Sequence, residues 1–352
     1  MEATLVALRD RIVAAQADRT PLRLRGTGSK DFYGESLGGE IVDTREHAGV
    51  IDYDPSELVL TARCGTPLSV IDQVLAPNRQ FLAFEPPRFG ADPTIGGVVA
   101  AGLSGPRRAS AGAVRDFVLG ASLLDASGEL LHFGGQVMKN VAGFDLSRLL
   151  CGSLGILGLI AQVSLKVLPQ PHEETTLRFE HDAESALGLF NRLRALPLPV
   201  SAGAWRDGVA YLRLSGAASA LRAGIASLGG ETVAAANAES LWGGLRDQTD
   251  PFFAEPGPLW RLSVPATAPL GGLDGGLIEW SGAVRWLRSD APAAEVRLRA
   301  EQVGGTAMQW RGARNTTMFH PLTPASLELH RRLKRQFDPH GIFNRGRLLV
   351  EL

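Results

Sequence analysis

EPPRFGADPTIGGVVAAGLSGPRRASAGAVRDFVLGASLL, residues 85–124, decides how this chain is read. It holds seven glycines, at 90, 96, 97, 102, 105, 112 and 120, where the chain should pass from loop to helix and back to strand. Positions without a side chain let backbone N–H groups come close to a ligand, and a helix N-terminus favours negative charge. Such a loop suits a diphosphate or a flat ring. Glycine is also a common turn residue, so the stretch by itself stays open between a cofactor loop and a tightly turned packing segment.

Outward from it lie three further elements. Leu22-Arg23-Leu24 reads as a short strand, followed by Arg25-Gly26-Thr27-Gly28-Ser29-Lys30. Two glycines and two hydroxyls after a strand can form an anion-binding nest. The spacing is neither GxxxxGK[ST] nor a GxGxxG that opens a helix. The third element is Lys139-Asn140-Val141-Ala142-Gly143-Phe144-Asp145-Leu146, then the glycine-bearing apolar run Leu149 to Ile160. The fourth is FDPHGIFNRGR, residues 337–347. Each is ambiguous alone; their order and spacing are specific.

Length and composition set the bounds. The 352 residues imply about two domains, and 45% hydrophobic with 21% charged residues is ordinary for a globular protein. A net charge of −1 gives no broad electrostatic case for nucleic acid. Arg331, Arg332, Lys334 and Arg335 read as the polar face and basic end of a helix. Cys64 and Cys151, the two cysteines, read as buried thiols and cannot supply the four thiolates of an iron–sulfur cluster. The seven histidines show no metal-ligand spacing, so no metal is expected. The charges Glu2, Arg9, Asp10 and Arg11 argue against a signal peptide. The longest apolar run, Leu149 to Ala161, is 13 residues, too short to span a bilayer. A cytoplasmic protein is expected, with attachment at the inner membrane through partners left open.

Along the chain, strands are expected at Leu58–Arg63, Phe117–Leu124, Glu129–Phe133 and Ala161–Leu168, with a helix from Pro67 to Leu75. Pro169-Gln170-Pro171 marks a boundary. Beyond it, strand 175–179, helix 183–196, strands 200–205 and 209–214, helix 217–228 and strand 231–234 follow a β-α-β-β-α-β order, which suggests a ferredoxin-like α+β unit. Strands at 259–264 and 277–287, and helices at 293–303 and 324–336, complete the pattern. Asp250 to Pro258 reads as a long loop. The fold class is thus α+β, with domains 1–170 and 171–323 and a C-terminal segment 324–352 returning to the first.

Together the four elements resemble the vanillyl-alcohol oxidase, or PCMH-type, FAD-binding family, and most of all the E-type FAD-binding subunits of bacterial glycolate oxidases. YDPSELVLTARCGTPL (53–68) and WSGAVRWLRS (280–289) carry the same resemblance. It implies a PCMH-type FAD domain at 1–170 and a cap at 171–323. It assigns the FAD diphosphate to Arg25, Gly26, Thr27, Gly28, Ser29 and Lys30, and the TIGG turn to Thr94, Ile95, Gly96 and Gly97. Ala101, Gly102, Ser104, Gly105, Gly112, Ala113 and Val114 should line the cofactor. Ile160 should meet the adenosine part, and Asn344 and Arg347 should return to the flavin. Relatives carry Thr and Asn at the positions of Ala101 and Gly102, and often Glu at that of Leu154. The first loop has no His, so the FAD should be non-covalent.

The resemblance implies the FAD-binding subunit of a complex that oxidises glycolate, a small 2-hydroxy acid, to glyoxylate. Its partners would be a second, catalytic FAD-binding subunit and an iron–sulfur subunit that collects electrons. Catalytic residues are not identifiable. Two other readings stay open: a self-sufficient FAD-dependent 2-hydroxy acid dehydrogenase, and a structural subunit with an empty FAD fold.

Overall fold

The computed structural model describes residues 2–90, 92–135, 145–272, 276–313 and 316–352. The Lys139–Phe144 part of the third sequence element lies outside them. The chain packs as two compact units, 1–103 with 113–169 and 321–352, and 104–112 with 170–320.

The first unit opens with helix Ala3–Asp18, whose buried Leu5, Leu8, Ile12 and Ala15 recur three or four residues apart and so share one face. That face packs on Leu22, Val42, Leu124, Leu159, Ile342 and Phe343. Strands Leu22–Arg25 and Glu40–Asp43 pair in parallel. A five-stranded antiparallel sheet runs in the order 50–54, 59–63, 159–166, 118–124, 130–134. The Asp125 carboxylate shapes the turn between its last two strands, accepting from the Ser127 and Glu129 amides at 2.9 and 3.0 Å.

The second unit is built on an eight-stranded antiparallel sheet. Strands 173–180, 200–206, 209–216 and 231–233, with helices 183–193 and 218–228, carry the expected ferredoxin-like chain order, and their order in the sheet is fourth-first-third-second. Strands 259–263, 277–279, 284–288 and 306–311 repeat that spatial order, and the two halves join where 200–206 pairs with 277–279. Among the described residues the second half has no helix between its first two strands. Residues 264–272 run there without helix, held by the buried Arg285, which donates to the carbonyls of Ala268 (2.6 Å) and Pro269 (2.7 Å).

Several elements differ from the sequence reading. Residues 277–287 are two strands, because Trp280 and Ser281 take left-handed φ values of 52° and 53° and turn the chain. The expected loop 250–258 contains helix Pro251–Ala254, started by proline and capped by Asp250, which accepts from the Phe252 amide at 3.0 Å. Helix Ala235–Asp247 was not expected, since it contains Gly243-Gly244. Strand 306–311 was also not expected; its TAMQWR sequence has no aliphatic run. Ser104–Gly112 pack with the second unit: Arg107 pairs with Glu174 and donates to Ser215 at 3.2 Å, and Ser110 donates to the Ser201 carbonyl at 2.7 Å.

Glu279 is buried in this unit and accepts from the Trp286 indole at 2.5 Å. Arg261 lies close by, 4.8 Å from the Trp280 ring centre and 5.8 Å from that of Trp286. Burial pushes the Glu279 carboxyl up to about 7, against the lowering pull of Trp286 and Arg261. Between the ordinary carboxyl range and that value the folded state holds a proton that the unfolded state has released. Stability from this group is therefore full at low pH and is lost as pH rises through about 7. The loss is on the order of 3 kcal/mol. Melting curves at pH 5 and pH 8 should show a fall that Glu279→Gln largely removes; an equal fall in both proteins would refute this origin.

Candidate functional site

In strand Leu22–Arg25 the period of two buries Leu22 and sets Arg23 and Arg25 on a common side. Both guanidiniums pair with Asp31, at 2.6 and 3.0 Å. The chain then turns through Gly28, at φ +78°, a conformation that favours glycine. At Gly26 there is no space for a Cβ, because the Thr94 side chain fills it. Thr94 is the N-cap of helix Ile95–Ala101, its hydroxyl accepting from the Gly97 amide at 3.4 Å. The two glycine-rich loops therefore meet at Gly26 and Thr94. Gly96 donates to the Cys64 carbonyl at 2.9 Å, and a Cβ there would lie 2.6 Å from the Cys64 Cβ.

Two more segments close the site. Leu154, at φ +51°, donates its amide to the Ala100 carbonyl at 2.9 Å and leads into Gly155, Gly158 and strand Leu159–Lys166. The segment after helix Pro324–Phe337 brings Asn344 and Arg347. Asn344 accepts from the Leu24 amide (2.7 Å) and donates to the Leu154 carbonyl (2.6 Å), so one carboxamide joins strand and turn. Arg347 donates to the carbonyls of Lys30 and Asp31, both at 3.0 Å, and so clamps the first loop.

These segments line a cleft whose empty space, open mouth included, is about 900 Å³. Its charged lining is Arg23, Arg25, Lys30 and Arg347 against the single carboxylate Asp31. The Thr27 hydroxyl is buried with no hydrogen-bond partner among the described residues. A cationic cleft with an orphaned hydroxyl fits a bound polyanion with acceptor oxygens. Cys64 also lines it, but burial pushes its thiol up to about 12, so it is no thiolate. Cys151 is likewise pushed up to about 12, and both cysteines are free. Among the described residues no group of three or more His, Cys, Asp or Glu could hold a metal. No helix among them is long and apolar enough to cross a membrane.

Of the residues singled out in the sequence, Arg25, Gly26, Thr27, Gly28, Ser29, Lys30, Thr94, Gly96, Gly97, Ala101, Ile160, Asn344 and Arg347 line this cleft. Ile95 is fully buried beneath it, and Gly102 ends the helix at φ +66°, backed by Gly152. Ala113 and Val114 begin helix Val114–Phe117, and Ser104, Gly105 and Gly112 belong to the second unit; none of these lines the cleft. Arg23 and Asp31 do line it and were missed. Strand alternation could have found Arg23, two positions before Arg25.

A family model described as an FAD binding domain matches residues 4–134. Over 347 residues the chain is 44% identical to the glycolate oxidase subunit GlcE of Escherichia coli (strain K12), covering 98% of this chain and 97% of that one. The chain belongs to the GlcE family of glycolate oxidase subunits. Its first part is an FAD-binding domain. Shorter likenesses extend to the glycolate oxidase subunit GlcD of Bacillus subtilis (strain 168), 31% identical over 45% of this chain and 34% of that one. A D-lactate dehydrogenase of Archaeoglobus fulgidus is 32% identical over 45% of this chain and 35% of its own length. A solved structure of alkyldihydroxyacetonephosphate synthase superposes with a TM-score of 0.65 at 14% identity, covering 96% of this chain and 74% of that one, which shows a shared fold.

The Gly96 geometry makes a prediction. Gly96→Ala should lower the melting temperature in the presence and in the absence of FAD, by about 1–3 kcal/mol of stability, because the added methyl meets Cys64. An FAD-free variant as stable as the parent would show that the helix yields without cost.

Proposed function

We propose that this chain is the FAD-holding subunit of a multi-subunit glycolate oxidase, an FAD-dependent oxidoreductase. Membership in the GlcE family supports the enzyme class. The observation that carries the site is the cleft itself, four cations and one carboxylate around two glycine-rich loops. In this reading Arg23, Arg25, Lys30 and Arg347 balance the charge of the FAD diphosphate. The Thr27 hydroxyl would donate to an FAD oxygen, on a loop that Gly28 turns at φ +78°. FAD, when bound, supplies the capacity to take up a hydride equivalent and release electrons one at a time. The chain's residues hold and orient it and shield its charge from water. Holding is non-covalent, because the cleft lining contains no His and its Cys64 thiol stays protonated.

Electrons would leave to an iron–sulfur subunit, since two cysteines cannot build a cluster here. A second FAD-binding subunit would carry out the hydride step on glycolate. This arrangement has a direct assay with the full-length chain, glycolate and a dye acceptor. Dye reduction is expected only after the partner subunits are added. Reduction by the chain alone at the rate of the complex would favour a self-sufficient 2-hydroxy acid dehydrogenase.

The site assignment has its own test. Thr27→Val should weaken FAD binding roughly three- to tenfold, the worth of one hydrogen bond, with an unchanged melting temperature of the FAD-free protein. Acid precipitation should release all flavin into the supernatant. A full-length chain that takes up no FAD on titration would overturn the assignment.

A further inference from the structure

Helix Pro324–Phe337 carries Arg332 and Arg335 exposed at its surface, but Lys334 between them is only 5% exposed. The sequence reading placed Lys334 with those arginines on a polar face; the structure turns it inward. An ammonium has three protons to donate, and Lys334 uses all three. It donates to the Asp338 carboxylate at 2.6 Å, to the Ile156 carbonyl at 2.7 Å and to the Phe343 carbonyl at 2.8 Å. Asp338, 1% exposed, accepts in turn from the amides of Ile342 and Phe343 at 2.9 and 2.8 Å. Burial pushes the lysine pKa below its ordinary value, while Asp338 pulls it back up.

The two carbonyls that Lys334 holds belong to two different walls of the cleft. Ile156 sits in the turn that supplies Leu154, Gly155 and Gly158 to the lining, and Phe343 directly precedes Asn344. Asn344 then joins the same turn, at Leu154, to the strand at Leu24. One cation and one carboxamide therefore both tie the C-terminal segment to the 153–158 turn.

We propose that Lys334 is a positioning residue for FAD: it acts through Phe343 and Asn344 to hold the C-terminal wall of the cleft against the 153–158 turn. The proposal rests on the reading that this cleft holds FAD. The test is the FAD dissociation constant, by titration, of the full-length chain and of Lys334→Met, Asn344→Ala and the double variant. Each single change should weaken binding by at least about tenfold, because each frees the same wall. The double variant should bind no worse than the weaker single variant, since residues acting as one unit are not additive.

A Lys334→Met protein that binds within about twofold of the parent would overturn the proposal. So would a double variant whose loss is the product of the two single losses, the result for a lysine that only stabilises the fold. Should Lys334→Met not give soluble protein, Asp338→Asn removes the charge that faces Lys334 and keeps one of the two oxygens that accept from the Ile342 and Phe343 amides. It should weaken binding by about threefold and show the same non-additivity with Asn344→Ala. A parent chain that binds no FAD would overturn the cofactor reading itself, whereas binding with uncoupled variants would overturn only the role of Lys334.

Discussion

Leu22 is hydrogen-bonded through both of its peptide groups to the segment that follows helix Pro324–Phe337. Its N–H donates to the Ile342 carbonyl at 2.7 Å and its carbonyl accepts from the Asn344 amide at 2.8 Å. This pairing bears on the first loop, because the segment it secures also carries Arg347, which clamps Lys30 and Asp31. Ile342 and Phe343, both fully buried, bring the same segment into the core beneath helix Ala3–Asp18. The cleft is thus a product of distant parts of the chain, and each of its walls is fastened to another rather than to a local turn.

This explains the division of labour among the glycines. Some, such as Gly28, are present for a left-handed turn. Gly26 and Gly96 are present because another segment lies where a side chain would be, Thr94 in one case and Cys64 in the other. Close approach of strand, loop and helix leaves a cleft whose charged lining is mostly cationic. The neutral carboxamide of Asn344, which also lines the cleft, ties Leu24 to Leu154 with one accepted and one donated bond.

Much of this was legible in the sequence, and the gaps have physical causes. Strand–loop signals at Leu22–Lys30 and the TIGG turn pointed to the residues that line the cleft, because turn chemistry is local. The ferredoxin-like order of the second unit was legible in its first half, where helices and strands alternate with clear periods. Its second half was not, because no helix stands between its first two strands among the described residues and one strand is broken at Trp280-Ser281. Ser104–Gly112 was misassigned because Arg107 and Ser110 find their partners near Glu174 and Ser201, about 70 to 90 residues later. Lys334 was read as surface because a lysine among arginines on a helix usually is. Nothing local announces the carbonyls of Ile156 and Phe343 that surround it.

The span between Leu24 and Asn344, which are 320 residues apart, also sets a time. At the usual pace of protein synthesis, on the order of ten residues per second, about half a minute passes between the emergence of the strand and that of its covering segment. During that interval the nascent strand Leu22–Arg25 has one edge without its eventual neighbour, and an unpaired edge beside apolar residues invites other strands. Arg23 and Arg25 alternate with Leu22 and Leu24 on that strand, so the charges that later face the cleft keep the young strand from pairing promiscuously.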